Sequence, residues 1–359
     1  MFFAETVIMD QYHRFAMNRS ALLSSLLTLS VISLCMLCKP VVAEEADDFW
    51  RGFHLGGYTS MDARLPRTET SQLKLNQVSM ILTWDQGTRV KFFGELELED
   101  PLAYDHHQGI NTKQSYLDLE RFYFDYNLNE KANVRLGRFL TPVGRWNQLH
   151  APPLVWTASR PLVTTRFFPS SINGAMLFGS LPISHMDMEY QVYAEALKDQ
   201  RQDGDEIIHR EVKGARLAFN NILGLSGNNA GLNTLGLNVM SYQKDIHGSP
   251  TYHLYGLDFL LEFNRWEFSG EVYERKTSGG DDGGSGAYVQ SAYSLGSEWY
   301  WITRLETLHE VDSKNADRWV LGMTKRVKPN QLLKFEFVGG SGEYEDVPRG
   351  FVASFAVMF

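Results

Sequence analysis

Cysteine is nearly absent. The 359 residues hold 2, Cys35 and Cys38, both within the first 43 positions, so residues 44–359 carry no disulfide framework and no thiolate site. Long apolar runs are also missing beyond Ala21–Leu37, and nothing later approaches the roughly 20 residues of a membrane helix. An excess of basic charge is lacking: 34 Lys and Arg face 43 Asp and Glu, which argues against a nucleic-acid partner. Motifs for chemistry are lacking too. Gly279–Gly286 is glycine-rich but has no Lys-Ser/Thr after it. Ser159 and His150 belong to no recognisable nucleophile motif. His106-His107 beside Asp105 has no second ligand pair at a fixed spacing, so no metal, cofactor or enzymatic role is expected.

The first 43 residues read as a secretory signal peptide. Arg19 precedes the apolar run, Val41-Val42-Ala43 offers small residues for cleavage, and Met17 is a candidate true start because Glu5 and Asp10 do not suit the leader. Residues 44–359 then form one large domain with net charge −10, since three basic and two acidic residues fall in the leader.

That domain is patterned with period two from end to end. Sixteen strand-like runs, from Trp50–Ser60 to Gly350–Phe359, alternate with turns. In Arg89–Glu99, Val90, Phe92, Gly94, Leu96 and Leu98 oppose Lys91, Phe93, Glu95 and Glu97; in Trp266–Lys276, Trp266, Phe268 and Val272 oppose Glu267, Ser269 and Glu271. One apolar and one polar face on so many long strands fits lipid outside and water inside. The fold class expected is an all-β transmembrane antiparallel barrel of about 16 strands. Connections sort accordingly: mostly short after even-numbered runs, as at Asn264-Arg265 though not at Asn221–Ala230, and long and polar after odd ones, as at Asp100–Gln114 and Thr277–Gly286. Trp84, Tyr126, Trp266, Trp299, Trp301 and Trp319 lie near strand ends, where aromatic girdles belong.

Leu140–Ser171 breaks the pattern. It holds 5 of the 12 prolines, which bars a continuous strand, yet Trp146, Leu149, Leu154, Trp156, Phe167 and Phe168 call for burial. It is the third long connection, and it is expected to fold into the barrel. Acid is absent around it: between Lys131 and Met186 there is no Asp or Glu.

The run Val134-Arg135-Leu136-Gly137-Arg138-Phe139-Leu140-Thr141-Pro142-Val143-Gly144 resembles the strand and inward-loop start of porins of the phosphate-selective O/P type. The C-terminal strand, with Phe355 and Phe359, resembles the terminal signature that barrel-assembly machinery reads in bacterial outer-membrane proteins. The resemblance implies a trimeric channel in a Gram-negative outer membrane, in contact with lipid and lipopolysaccharide. It would pass small hydrophilic solutes by passive diffusion, anions among them. An enzyme or a surface receptor or adhesin on the same barrel is the alternative.

The constriction expected from the residues themselves is Arg138, Arg145, His150, Arg160 and Arg166. The lumen wall expected from alternation is Lys91, Glu95, Glu97, Asp187, Glu189, Glu195, Arg216, Glu267, Glu271 and Arg304. A basic loop would thus face an acid-heavy wall. Its arginines would either touch solute or be pinned to wall carboxylates such as Glu95, Glu97, Glu189 and Glu195.

Overall fold

Alternating polar and apolar side chains commit most of this chain to extended backbone, and the computed structural model pairs those strands into one closed ring. It describes residues 47–165, 167–198, 208–224, 233–311, 315–342 and 349–359. The leader, Arg166 and the acidic cluster Glu343, Glu345 and Asp346 lie outside the described residues. Asp47–Arg51 is one helical turn, α1, and residues 52–359 form a separate unit. Among the described residues no helix is long and apolar enough to cross a membrane, which leaves crossing by strands open.

The strands are β1 (Phe53–Pro66), β2 (Gln72–Asp85), β3 (Val90–Asp105), β4 (Gly109–Asn111), β5 (Tyr116–Asn129), β6 (Ala132–Leu140), β7 (Ser171–Ile183), β8 (Met186–Leu197) and β9 (His209–Asn220). They continue as β10 (Asn233–Lys244), β11 (Thr251–Phe263), β12 (Trp266–Thr277), β13 (Asp282–Gly296), β14 (Trp299–His309), β15 (Ala316–Lys328), β16 (Gln331–Ser341) and β17 (Gly350–Met358). β4 pairs only with β3. The other 16 pair with their sequence neighbours, antiparallel throughout, and β1 closes on β17. Beyond that register, Phe359 exchanges both backbone bonds with Gly57, N to O at 2.9 Å each way. Closure leaves no edge strand, so ladder groups are satisfied without water.

Tight connections are built as hairpins demand. Ser297 and Glu298 both take positive φ, 50° and 62°, the twist-matching geometry of a two-residue turn. Several strands run further than their apolar patterns indicate. The link between β12 and β13 is short rather than the expected Thr277–Gly286, because pairing continues past a bulge to Lys276–Asp282.

The two faces separate cleanly. Outward, Leu217, Leu237, Leu257 and Val272 are register partners across β9–β12, all well exposed. Such a row suits hydrocarbon rather than water. Trp266, Tyr293 and Trp301 sit toward the short-turn ends, with Trp266 against Tyr293 at 4.5 Å between ring centroids. Inward, Asp258, Glu271, Tyr288, Glu306 and Arg318 are register partners across β11–β15. All five are buried.

Candidate functional site

Residues 141–170 link two neighbouring strands, β6 and β7, yet they hydrogen-bond to side chains of β10, β12, β14, β15 and β16 on the far arc of the ring. A segment with little secondary structure carries many backbone donors and acceptors that burial would orphan. Five prolines lower the number of N–H groups. Charged wall side chains take the rest. Glu271 Oε1 accepts from Arg145 N at 3.0 Å and Trp146 N at 2.7 Å. Glu306 Oε2 accepts from Leu162 N at 2.7 Å. Glu336 accepts from Ala158 N and from the Ser159 hydroxyl, the latter at 2.9 Å. Basic groups donate to carbonyls in turn: Lys334 Nζ to Pro152 O at 2.7 Å and Thr157 O at 3.0 Å, Arg275 to Phe167 O at 3.0 Å, and Arg318 to Arg160 O.

Two features allow the close approach. Gly144 has φ +66°, and a Cβ there would lie 2.1 Å from the Tyr273 hydroxyl and 2.3 Å from a Glu271 oxygen. Asn147, fully buried, joins the two stems by donating to Thr141 O at 2.8 Å and Ser170 O at 2.9 Å. Apolar contacts complete the seat. Val143, Val163, Phe167 and Phe168 share one buried cluster with Tyr242, Leu254, Tyr273 and Tyr288 of the wall.

Buried charges are paired in place. Glu306 accepts from Arg304 Nε at 2.7 Å and Arg318 Nε at 2.8 Å, with all three side chains at 0% exposure. Arg304 also donates to Thr157 Oγ1 at 2.5 Å and Ser159 Oγ at 2.7 Å. Arg216 pairs with Asp258 at 2.6 Å. Three charges sharing one network offset a desolvation cost that none could bear alone.

The expected constriction residues separate in this frame. Arg138 belongs to β6, is buried, and donates to Ser171 Oγ at 2.7 Å. Arg160 stacks over Trp146 at 4.9 Å and donates to Asn147 Oδ1 at 3.2 Å. Arg145 is half-buried, with its charge felt by Glu267. His150 sits with Nδ1 2.9 Å from Asn147 O and Nε2 3.7 Å from Glu120. Burial, then the Arg160 charge, lowers its pKa to about 4, so it is neutral at neutral pH and adds no positive charge to the segment. A lowered histidine pKa delays protonation as pH falls. Between about pH 7 and about pH 5 the wild type and His150→Asn should therefore show the same ion selectivity by reversal potential. Divergence over that range would place a proton on His150.

Three of the expected wall residues lie toward the short turns and are more exposed than the rest. Lys91 shares the β3 alternation of Glu95 and Glu97 and is bridged to Asp85 at 2.7 Å. Asp187 and Glu189 share the β8 alternation of the buried Tyr193, with Asn220 donating to Glu189 at 2.8 Å. Glu95, Glu97, Glu195, Arg216, Glu267, Glu271 and Arg304 do occupy the less exposed face. The carboxylates do not serve mainly to pin loop arginines, however. Glu267 accepts from Trp156 Nε1 at 2.9 Å, Glu95 is taken by Ser79 at 2.7 Å and by Arg121, and Glu195 accepts from Val212 N at 3.2 Å. The seat also uses Arg275, Arg318, Glu336 and Asn147, which the expected site omits. Continuing the Trp266–Val272 alternation by three residues would have put Arg275 on the inner face.

The Ser159 hydroxyl donates to Glu336 and accepts from Arg304, neither of them the general base a serine nucleophile needs. Among the described residues no group of three or more His, Cys, Asp or Glu could hold a metal ion.

No family model matches the chain. An uncharacterized protein of Aquifex aeolicus (strain VF5) is 27% identical over 176 residues, which is 44% of this chain and only 38% of that protein. Solved structures align over far more. OprB of Pseudomonas putida superposes with TM-score 0.60 at 8% identity, covering 88% of this chain and 96% of its own. An anion-selective porin from Comamonas acidovorans gives 0.54 at 14% identity, covering 85% and 98%. OmpF of Salmonella typhi, in complex with daunomycin, gives 0.54 at 10%, covering 86% and 97%. The closed 16-stranded barrel of this chain is the fold of bacterial outer-membrane porins.

Proposed function

We propose that this protein is an outer-membrane porin of a Gram-negative bacterium, a water-filled channel for passive diffusion of small hydrophilic solutes. Residues 141–170 lie across the lumen as its constriction. One observation carries this reading: inside a closed ring with an apolar outer face, a connection between adjacent strands is bonded to the opposite arc. A plug would need to fill the ring, whereas a single segment bonded to β10–β16, and meeting β1 and β17 at Pro152–Leu154 and β5 at His150, narrows it. Arg145 and Arg160 are both half-buried; with Arg160 stacked on Trp146, Arg145 is the side chain offered to solute, which favours contact with anionic groups. The protein assembles as a homotrimer, as one barrel of similar fold, OmpT of Vibrio cholerae, does in its trimer form. The C-terminal strand, with Phe355 turned outward and Phe359 at the end, serves as the assembly signal.

An enzymatic barrel is disfavoured by the engagement of Ser159 with Glu336 and Arg304. Purified protein in planar bilayers should give discrete conductance steps. A folded barrel that leaves the membrane closed would refute the channel.

A further inference from the structure

The outward apolar row Leu217, Leu237, Leu257 and Val272 has a polar counterpart four residues further toward the strand ends from which residues 141–170 also depart. There Lys213, Ser241, His253 and Lys276 are register partners across β9–β12. Along β12, Lys276 stands ten residues from Trp266 of the short-turn girdle. A tilted strand crosses the hydrocarbon in about 9–11 residues, so the polar row is at headgroup depth. The long connections of such barrels face the outside of the cell, which makes the leaflet at this depth the outer one.

Lys276 is bridged to Glu274 at 3.1 Å. The other three side chains of the row have no hydrogen bond or ion pair among the described residues. Opposed residues on neighbouring strands hold their Cβ atoms about 5 Å apart, which sets an ammonium, a hydroxyl and a ring N–H side by side. Lys213, Val239, Ser241, His253 and Tyr255 line an open groove of about 220 Å³, and no carboxylate is among its lining residues. Of the acids nearby, Glu274, the register partner of Tyr255, is taken by Lys276, and Glu211 lies at the β9 bulge on the loop side of Lys213. Below the groove, Val239, Leu237 and Leu257 are well exposed and offer an apolar surface to acyl chains.

We propose that Lys213, Ser241 and His253 bind a phosphate of an outer-leaflet glycolipid, the lipopolysaccharide of the Gram-negative surface, whose acyl chains lie on Val239, Tyr255 and the leucine row below. The inference rests on the outer-membrane reading above and names one site and one headgroup for its lipid partner. Charge complementarity selects the occupant. A lysine with no carboxylate partner is tolerated on the lipid face only near an interface, and there an anionic headgroup attracts it. Donors at headgroup depth above exposed apolar side chains match a phosphate that carries several chains. A soluble anion would meet only the upper half of that surface.

Bisphosphorylated lipid A is the probe. Titrated calorimetrically into the folded, detergent-solubilised protein, it should bind, and inorganic phosphate at the same concentration should not displace it. The paired substitution Lys213→Gln with His253→Gln should weaken that binding by at least about tenfold, as expected for removing two donors from an anionic headgroup. Both side chains lie on the outer face in contact with no core cluster, so the pair leaves the barrel folded. Lys328→Gln, a charge-matched control at the short-turn end of β15, should bind as the wild type does. Lipid A stripped of its phosphates should bind wild type and paired variant equally weakly. Equal affinity of wild type and paired variant for intact lipid A would overturn the site, as would no binding to the wild type. Displacement by inorganic phosphate would overturn it too, leaving an anion site that does not read lipid. A barrel that binds lipid A through these residues but never conducts in planar bilayers would instead refute the channel and keep the site.

Discussion

Gly144→Ala should release the 141–170 segment from the wall while leaving the barrel folded. The residue sits at φ +66°, and its Cβ would lie 2.1 Å from the Tyr273 hydroxyl and 2.3 Å from Glu271. Left-handed backbone costs an alanine about 1–2 kcal/mol. Moving Glu271 aside also breaks its bonds to Arg145 N and Trp146 N. Bonds to a charged acceptor contribute roughly 1.5–3 kcal/mol each. A local loss of about 3 kcal/mol is roughly a 100-fold fall in the ratio of seated to released segment. Channel recordings should show larger and noisier conductance, and limited trypsin digestion should cut after Arg145, whereas the Arg160–Pro161 bond stays resistant. Wild-type recordings and wild-type protease resistance in the variant would mean that Glu271 does not hold the loop.

Glu306→Ala should be the most damaging single substitution for stability. It leaves Arg304 and Arg318 buried at 0% side-chain exposure without their shared carboxylate, and it orphans Leu162 N. Removing one member of a buried charge network costs about 3–5 kcal/mol. Thermal unfolding in detergent should shift down clearly. Glu306→Gln should fall between the two, because an amide keeps an acceptor for Leu162 N but loses the charge. If Glu306→Ala melts with the wild type, the triad is not what fixes the loop to β14 and β15.

Strand count and connectivity were open to reading because period-two alternation is a direct consequence of a wall with lipid on one side and water on the other. Val272 outward and Glu271 inward follow from that rule alone. The 141–170 segment stood out through its prolines and aromatics, which exclude both a strand and a solvated linker. Its seat was far less legible. Glu271, Glu306 and Glu336 accept from backbone N–H groups 125 or more positions away, and no local pattern announces such a partner. Asn147, the residue joining the stems, looks in sequence like any polar loop residue. Bulges add a further limit. The shifts between Leu75 and Gln77 and between Glu95 and Leu96 change which residues face inward, and they brought Asn76 and Glu120 to the inner wall. Charge alone misled in one respect. Acidic wall and basic loop suggested ion pairs between side chains, whereas Glu271, Glu306 and Glu336 accept from loop backbone, and Glu95 and Asp258 pair with arginines of the wall.

The central claim is that residues 141–170 line the narrowest part of an open pore. Both natural cysteines lie in the first 43 residues, so a single introduced thiol reports without background in protein lacking that segment. Arg145→Cys protein would be placed in a planar bilayer and treated with a membrane-impermeant, positively charged thiol reagent while current is recorded. A stepwise fall in current, absent from the cysteine-free protein, is the predicted result. Complete labelling with no change in current would contradict it.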